Sequence, residues 1–235
     1  MTGRRLRIAR VAALALVSTF LAVRMGAADD PVLEWIEDVV LGPEYGGSGA
    51  IASRWVRAPV LKLVEGSTED RRVVEACVAE INSALARTPI REIVLARTGV
   101  AGADILVYSV PLHRFPELAR RHGFQYVEGN LGFFWTFWNE RHEIQSAVVL
   151  LASDRLSETA LRHIALVEIT QSLGLSGDSP VFPESVFFSR DDDGGAAEHL
   201  SALDRQLIDF FYRYLSPGAR TAEVRIAYWR HWERE

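Results

Sequence analysis

Hydrophobic positions in this chain follow two spacings, and the switch between them lays out a series of strands and helices. Leu33, Trp35, Ile36, Val39 and Val40 fit a short helix, which Gly42-Pro43 and the glycines at 46, 47 and 49 break. Trp55 to Val64 reads as a strand, with Pro59 marking an edge or a bend. Ser67 or Thr68 can cap a helix from about Glu69 to Ala86, whose apolar residues recur at three and four. Ile90 to Ala96 and Ile105 to Val110 are β-branched runs separated by a Gly99/Gly102 turn. Leu112 to His122 is a short helix that Gly123 can end.

The second half opens on an aromatic block, Phe133-Phe134-Trp135-Thr136-Phe137-Trp138. Phe133, Trp135 and Phe137 share one face of a strand, and Phe134 and Trp138 share the other. Ser146 to Leu151 is apolar throughout and predicts a buried strand. Ser157 to Leu173 is helical, as is about Ser201 to Tyr214, which Pro217-Gly218 stops. The segment Thr221 to Glu235 carries Trp229 and Trp232 without an evident role. One mixed sheet packed on helices, an α+β fold in a single domain, follows from this order.

The helix at 157–173 is the part with chemistry in it. Ala160, Leu161, Ile164, Ala165, Leu166, Val167, Ile169 and Leu173 leave only a narrow polar strip through Arg162, His163 and Thr170. Glu168 and Gln171 fall on the apolar side, so the carboxyl of Glu168 must meet a donor or border a cleft. Val167-Glu168-Ile169-Thr170-Gln171 followed by Gly174 has the frame of the zinc helix His-Glu-x-x-His, in which two imidazoles one turn apart hold the metal and Glu polarises its water. Here valine and a neutral amide stand at the two ligand positions. No metal and no cofactor are expected from such a set. His163 and Gln171 are about 12 Å apart along the helix axis and cannot share an ion. His199 is the one histidine placed to reach the cleft from a neighbouring loop. Ser185 has no base and acid at a recognisable spacing. Asp191-Asp192-Asp193-Gly194 lacks the spaced ligands of a calcium loop and reads as a solvated turn.

Charge and the N-terminus narrow the classes. Arg4, Arg5, Arg7 and Arg10 precede an apolar stretch from Val11 to Val23, then Gly26, Ala27 and Ala28, which is the order of a cleaved secretory leader over residues 1–28. An uncleaved anchor is the lesser alternative. The chain has 26 basic and 31 acidic residues, net −5; the leader holds five arginines and no acid, so residues 29–235 carry 21 against 31, net −10. Nucleic acid is a poor partner for that balance. Cys77 is the single cysteine and lies in an apolar helical pattern, so it reads as a core residue without a disulfide.

The run from Val167 through Leu175-Ser176-Gly177-Asp178-Ser179, with Pro183-Glu184-Ser185-Val186-Phe187, Leu203-Asp204-Arg205 and Phe211-Tyr212 to Pro217-Gly218, resembles the bacterial domain of unknown function 2927 family. That resemblance implies a secreted protein with a zincin-like (metzincin-type) mixed sheet and a degenerate active-site helix. It implies no demonstrated activity. The related metalloproteases take a third ligand three residues after the glycine, here Gly177, with Asp178 one place late. The resemblance covers about residues 53–218, which sets the expected organisation: leader 1–28, N-terminal extension 29–52, domain 53–218, tail 219–235.

Two functions compete. One is a non-catalytic peptide- or protein-binding module of the cell envelope, periplasmic or secreted and not a multi-span membrane protein. Its cleft would be lined by Gln171, Asp178, Ser185, Trp135 and Trp138, and the aromatic strand would receive an extended peptide. The other is a hydrolase with atypical metal ligation, Glu168 acting as general base and Gln171, Asp178 and His199 offering ligands. The sequence leaves the partner and the oligomeric state open.

Overall fold

The computed structural model describes residues 30–42, 51–96, 102–190 and 195–232. The leader, the Gly99 part of the turn and the acidic run Asp191–Gly194 lie outside them. The elements in order are α1 (Pro31–Leu41), β1 (Val60–Glu65), α2 (Thr68–Leu85), β2 (Val94–Leu95) and β3 (Ile105–Val110). A short 3-10 turn (Leu112–Arg114) then leads into α3 (Phe115–His122), β4 (Gly132–Trp138), β5 (Ile144–Ala152), α4 (Glu158–Gln171), α5 (Ala202–Tyr214) and α6 (Thr221–His231).

The strands form one mixed sheet in the order β2-β1-β3-β5-β4. β1, β2, β3 and β5 run parallel, while β4 is antiparallel to β5 and has no second strand neighbour among the described residues. Parallel neighbours need crossovers, and α2 supplies one between β1 and β2. α2 and α4 pack together on one face of the sheet, with α5 against α2. The other face is covered by α3 and the segment after it, through Phe115, Leu118 and Phe124. β5 is therefore buried on both sides. Ala147, Val149 and Leu151 face the larger core, and Val148 and Leu150 face the smaller one, which is why its sequence is apolar without alternation.

Local signals held where a single residue decides them. Ser67 caps α2 and Ser201 caps α5, each in a reciprocal box with the acid three residues on, Asp70 and Asp204. Three expectations need correction. The strand expected over 90–96 shrinks to Val94–Leu95, because the side chain of Asn82 bonds both backbone groups of Ile93 (2.7 and 3.0 Å) and draws it out of the ladder. The strand expected from Trp55 begins at Val60, since Trp55 is buried and its ring N–H donates to the Ser172 carbonyl at the end of α4 (3.0 Å). The boundaries at 53 and 218 do not delimit the packed unit. α1 places Trp35, Ile36 and Val39 in the main core, and α6 packs on α1 through Val224 and Tyr228, whose hydroxyl donates to Asp30 (2.8 Å).

Candidate functional site

α4 is buried nearly all round. The polar strip expected at its surface is covered: His163 donates through Nδ1 to the Ala197 carbonyl (2.8 Å), and the Thr170 hydroxyl donates to the Leu166 carbonyl (2.7 Å). Ser157 caps the helix by accepting from the Ala160 amide (3.2 Å). At the far end Gly174, in the left-handed region at φ 105°, turns the chain away. The Gly177 amide then bonds the Val39 carbonyl at the end of α1 (3.0 Å), so the chain doubles back. That reversal brings Asp178 to Gln171, which donates from Nε2 to Asp178 Oδ1 (2.9 Å).

Glu168 lies beside this pair. It is 6 % exposed, and its Oε2 has no hydrogen-bond partner among the described residues. Removal from water pushes its pKa well above the usual carboxylate range, and the negative charge of Asp178 raises it further. Asp178 is a solvent-exposed residue whose carboxylate is nonetheless crowded by protein. That loss of hydration pushes it up to about 6, opposed by the hydrogen bond from Gln171. In both carboxyls burial favours the protonated form, most strongly in the inner one, while the outer one titrates at about 6.

The roof over Glu168 is Gly132, the first residue of β4. A Cβ there would stand 2.4 Å from Glu168 Oε1 and 2.3 Å from Ile164 Cγ2. Glycine is what lets the edge strand lie directly on the acid. The sequence held a signal for this, a glycine just ahead of the aromatic run, but nothing in it linked that glycine to a helix some thirty residues on.

Glu168, Gln171 and Asp178 thus lie together, and the other candidates stand elsewhere. Ser185 is buried 19 residues before its partner, its hydroxyl donating to Asp204 (2.6 Å) at the N-terminus of α5. It lines no cleft. His199 stands against Glu80 (3.1 Å) and Arg162 (3.2 Å) in an ion-pair group with Arg205. Trp135 is stacked on Phe124 (5.7 Å) and Phe133 (6.4 Å) in the smaller core, whereas Trp138 is 52 % exposed. Trp138 is the more exposed of the two tryptophans.

A zinc ion does not fit the residues present. Val167 and Gly177 bring no side-chain donor, Gln171 is engaged with Asp178, and the two nearest histidines in sequence are tied elsewhere. Among the described residues no group of three His, Cys, Asp or Glu side chains is placed to hold a metal. The ligand set expected for an atypical hydrolase is not assembled among the described residues.

A family model described as a protein of unknown function (DUF2927) matches residues 33–228, and the chain belongs to that family. The match begins inside α1 and ends inside α6, in keeping with the packing of both helices into the core. Two solved structures of myroilysin share 12% identity with the chain at a TM-score of 0.41. They cover 70% and 74% of this chain, and 98% and 94% of their own. A search of curated proteins found no sequence match. Among the described residues no helix is long and apolar enough to cross a membrane.

Proposed function

We propose that this chain is a secreted or periplasmic, non-catalytic binding module on a zincin-like scaffold, and that it captures an extended peptide along the free edge of β4. One observation carries the reading: among the described residues β4 is an edge strand with a single strand neighbour, and it runs from the Glu168–Asp178 pair at Gly132 to the exposed Trp138. An unpaired strand edge offers a row of amides and carbonyls to any extended chain. Leu131 accepts from the Ala152 amide (2.9 Å), so by antiparallel alternation Phe133, Trp135 and Phe137 pair with β5. Phe134 and Thr136 then turn their backbone groups outward. A peptide added there would set a side chain against Trp138 at one end and a basic group near Asp178 at the other.

Panning the purified protein against a library of extended peptides tests this. Thr136→Pro removes one outward N–H and leaves the β5 ladder intact, while Trp138→Ala removes the exposed ring. Both should lose the peptides that the parent selects and keep its unfolding midpoint. Selection of the same peptides by both variants would refute edge capture.

A further inference from the structure

Where the loop after α2 meets the end of α5, a cleft of about 610 Å³ is lined by Arg87, Thr88, Arg91, Arg213 and Tyr214, with no acidic side chain among its lining residues. This is unusual in a chain whose residues 29–235 hold 21 basic against 31 acidic side chains. The guanidiniums of Arg87 and Arg91 have no ion-pair or hydrogen-bond partner among the described residues. Arg213 reaches Asp209 on its own helix (3.1 Å) and lies over the Tyr214 ring (5.1 Å). Tyr214 in turn stacks flat on His231 of α6 (4.2 Å between centroids, 3° between planes), which stiffens that wall.

The plain alternative is that these arginines serve the helix ends, where carbonyls lack partners. Several of those carbonyls are already served. At the end of α5, Arg54 donates to the carbonyls of Phe211 (3.2 Å), Tyr212 (2.9 Å) and Leu215. At the end of α2, the Leu85 carbonyl accepts from both the amide and the hydroxyl of Thr88 (2.8 Å each). Arg91 adds a second anomaly. Its φ is 65°, a left-handed conformation in which Gly or Asn sits at lower cost. A long cationic residue is kept at the lip of the cleft against the backbone's preference.

We propose that this cleft binds a phosphate-bearing anion, with Arg87 and Arg91 as the principal contacts, Arg213 as the third and Tyr214 as one wall. Three guanidiniums around one opening suit a multiply charged tetrahedral oxyanion better than a single carboxylate, because each planar fork can donate two parallel bonds. The site is independent of the peptide edge. Either can fail without the other.

Calorimetric titration of the purified protein with pyrophosphate, inorganic phosphate and acetate tests it. Pyrophosphate should saturate one site, phosphate should bind more weakly, and acetate should not bind. Arg87→Gln and Arg91→Asn should each weaken pyrophosphate by roughly tenfold, the loss of a charge-assisted contact. Asn tolerates the left-handed backbone, so the melting temperature of Arg91→Asn should be equal or higher. Binding falls while stability does not, and a merely structural arginine would not show that split. Arg71→Gln with Arg72→Gln removes the same charge from the other end of α2 and should change affinity less than about twofold. Unaltered pyrophosphate binding in the Arg87/Arg91 double variant would overturn the assignment. So would an equal loss in the Arg71/Arg72 control, or binding by acetate as tight as by pyrophosphate.

Discussion

Replacing Glu168 by Gln probes the buried acid most directly. The amide has nearly the same shape and cannot ionise. In the parent, Glu168 holds its proton more tightly when folded than when unfolded, because burial and the charge of Asp178 both disfavour the carboxylate. A raised folded pKa contributes stability that is fully present below the unfolded value, and this contribution is lost as pH climbs toward the folded one. The loss begins near the unfolded pKa of about 4.3 and cannot exceed about 1.4 kcal/mol for each pH unit. Asp178 falls in the same direction, but its window closes near its folded value of about 6. Only the part of the decline that disappears in the Glu168→Gln protein belongs to Glu168. The Glu168→Gln protein should match the parent, apart from a constant offset, at pH 4, and gain on it as the pH rises above the unfolded carboxyl's range. Urea unfolding followed by the fluorescence of the buried Trp35 and Trp55 reads both curves. A stability difference that stays level over that rise would refute the buried, proton-holding acid.

Asp178→Asn removes the charge that helps hold the proton on Glu168, so the gain from Glu168→Gln should shrink in that background; a double-mutant cycle over the same pH series measures the coupling. Gly132→Ala drives a methyl into Ile164 and Glu168 and should cost about 1–3 kcal/mol in urea unfolding, the usual range for overpacking. Trp135→Ala, which empties a stacked position between Phe124 and the strand, should cost about 2–4 kcal/mol, whereas the exposed Trp138→Ala should stay within about 1 kcal/mol of the parent.

What the chain announced on its own was local. Ser67, Ser157 and Ser201 cap the helices they precede because a side-chain oxygen needs only the amides two or three residues away. The unbroken apolar run of β5 and the degenerate Val167–Gly174 frame were equally legible, as was the conflict of a carboxyl on an apolar helix face. Whatever depended on distant partners was not. Asn82 took Ile93 from its strand, Asp204 claimed Ser185, and Glu80 claimed His199, each through a contact that no local spacing encodes. α1 and α6 looked peripheral because each buries its apolar side only against the other and the shared core.

Periodicity therefore located most of the helices and strands, and the motif marked where an acid would lie on an apolar helix face. Only the tertiary structure decided that Gly132 roofs that acid, that Asp178 rather than a histidine stands beside it, and that Trp138 is the most exposed ring of the aromatic strand. The physical reason is that backbone propensity acts over a single turn or pleat. The protonation state of a carboxyl depends instead on every group within a few ångströms, and the fold brings those groups from all along the chain.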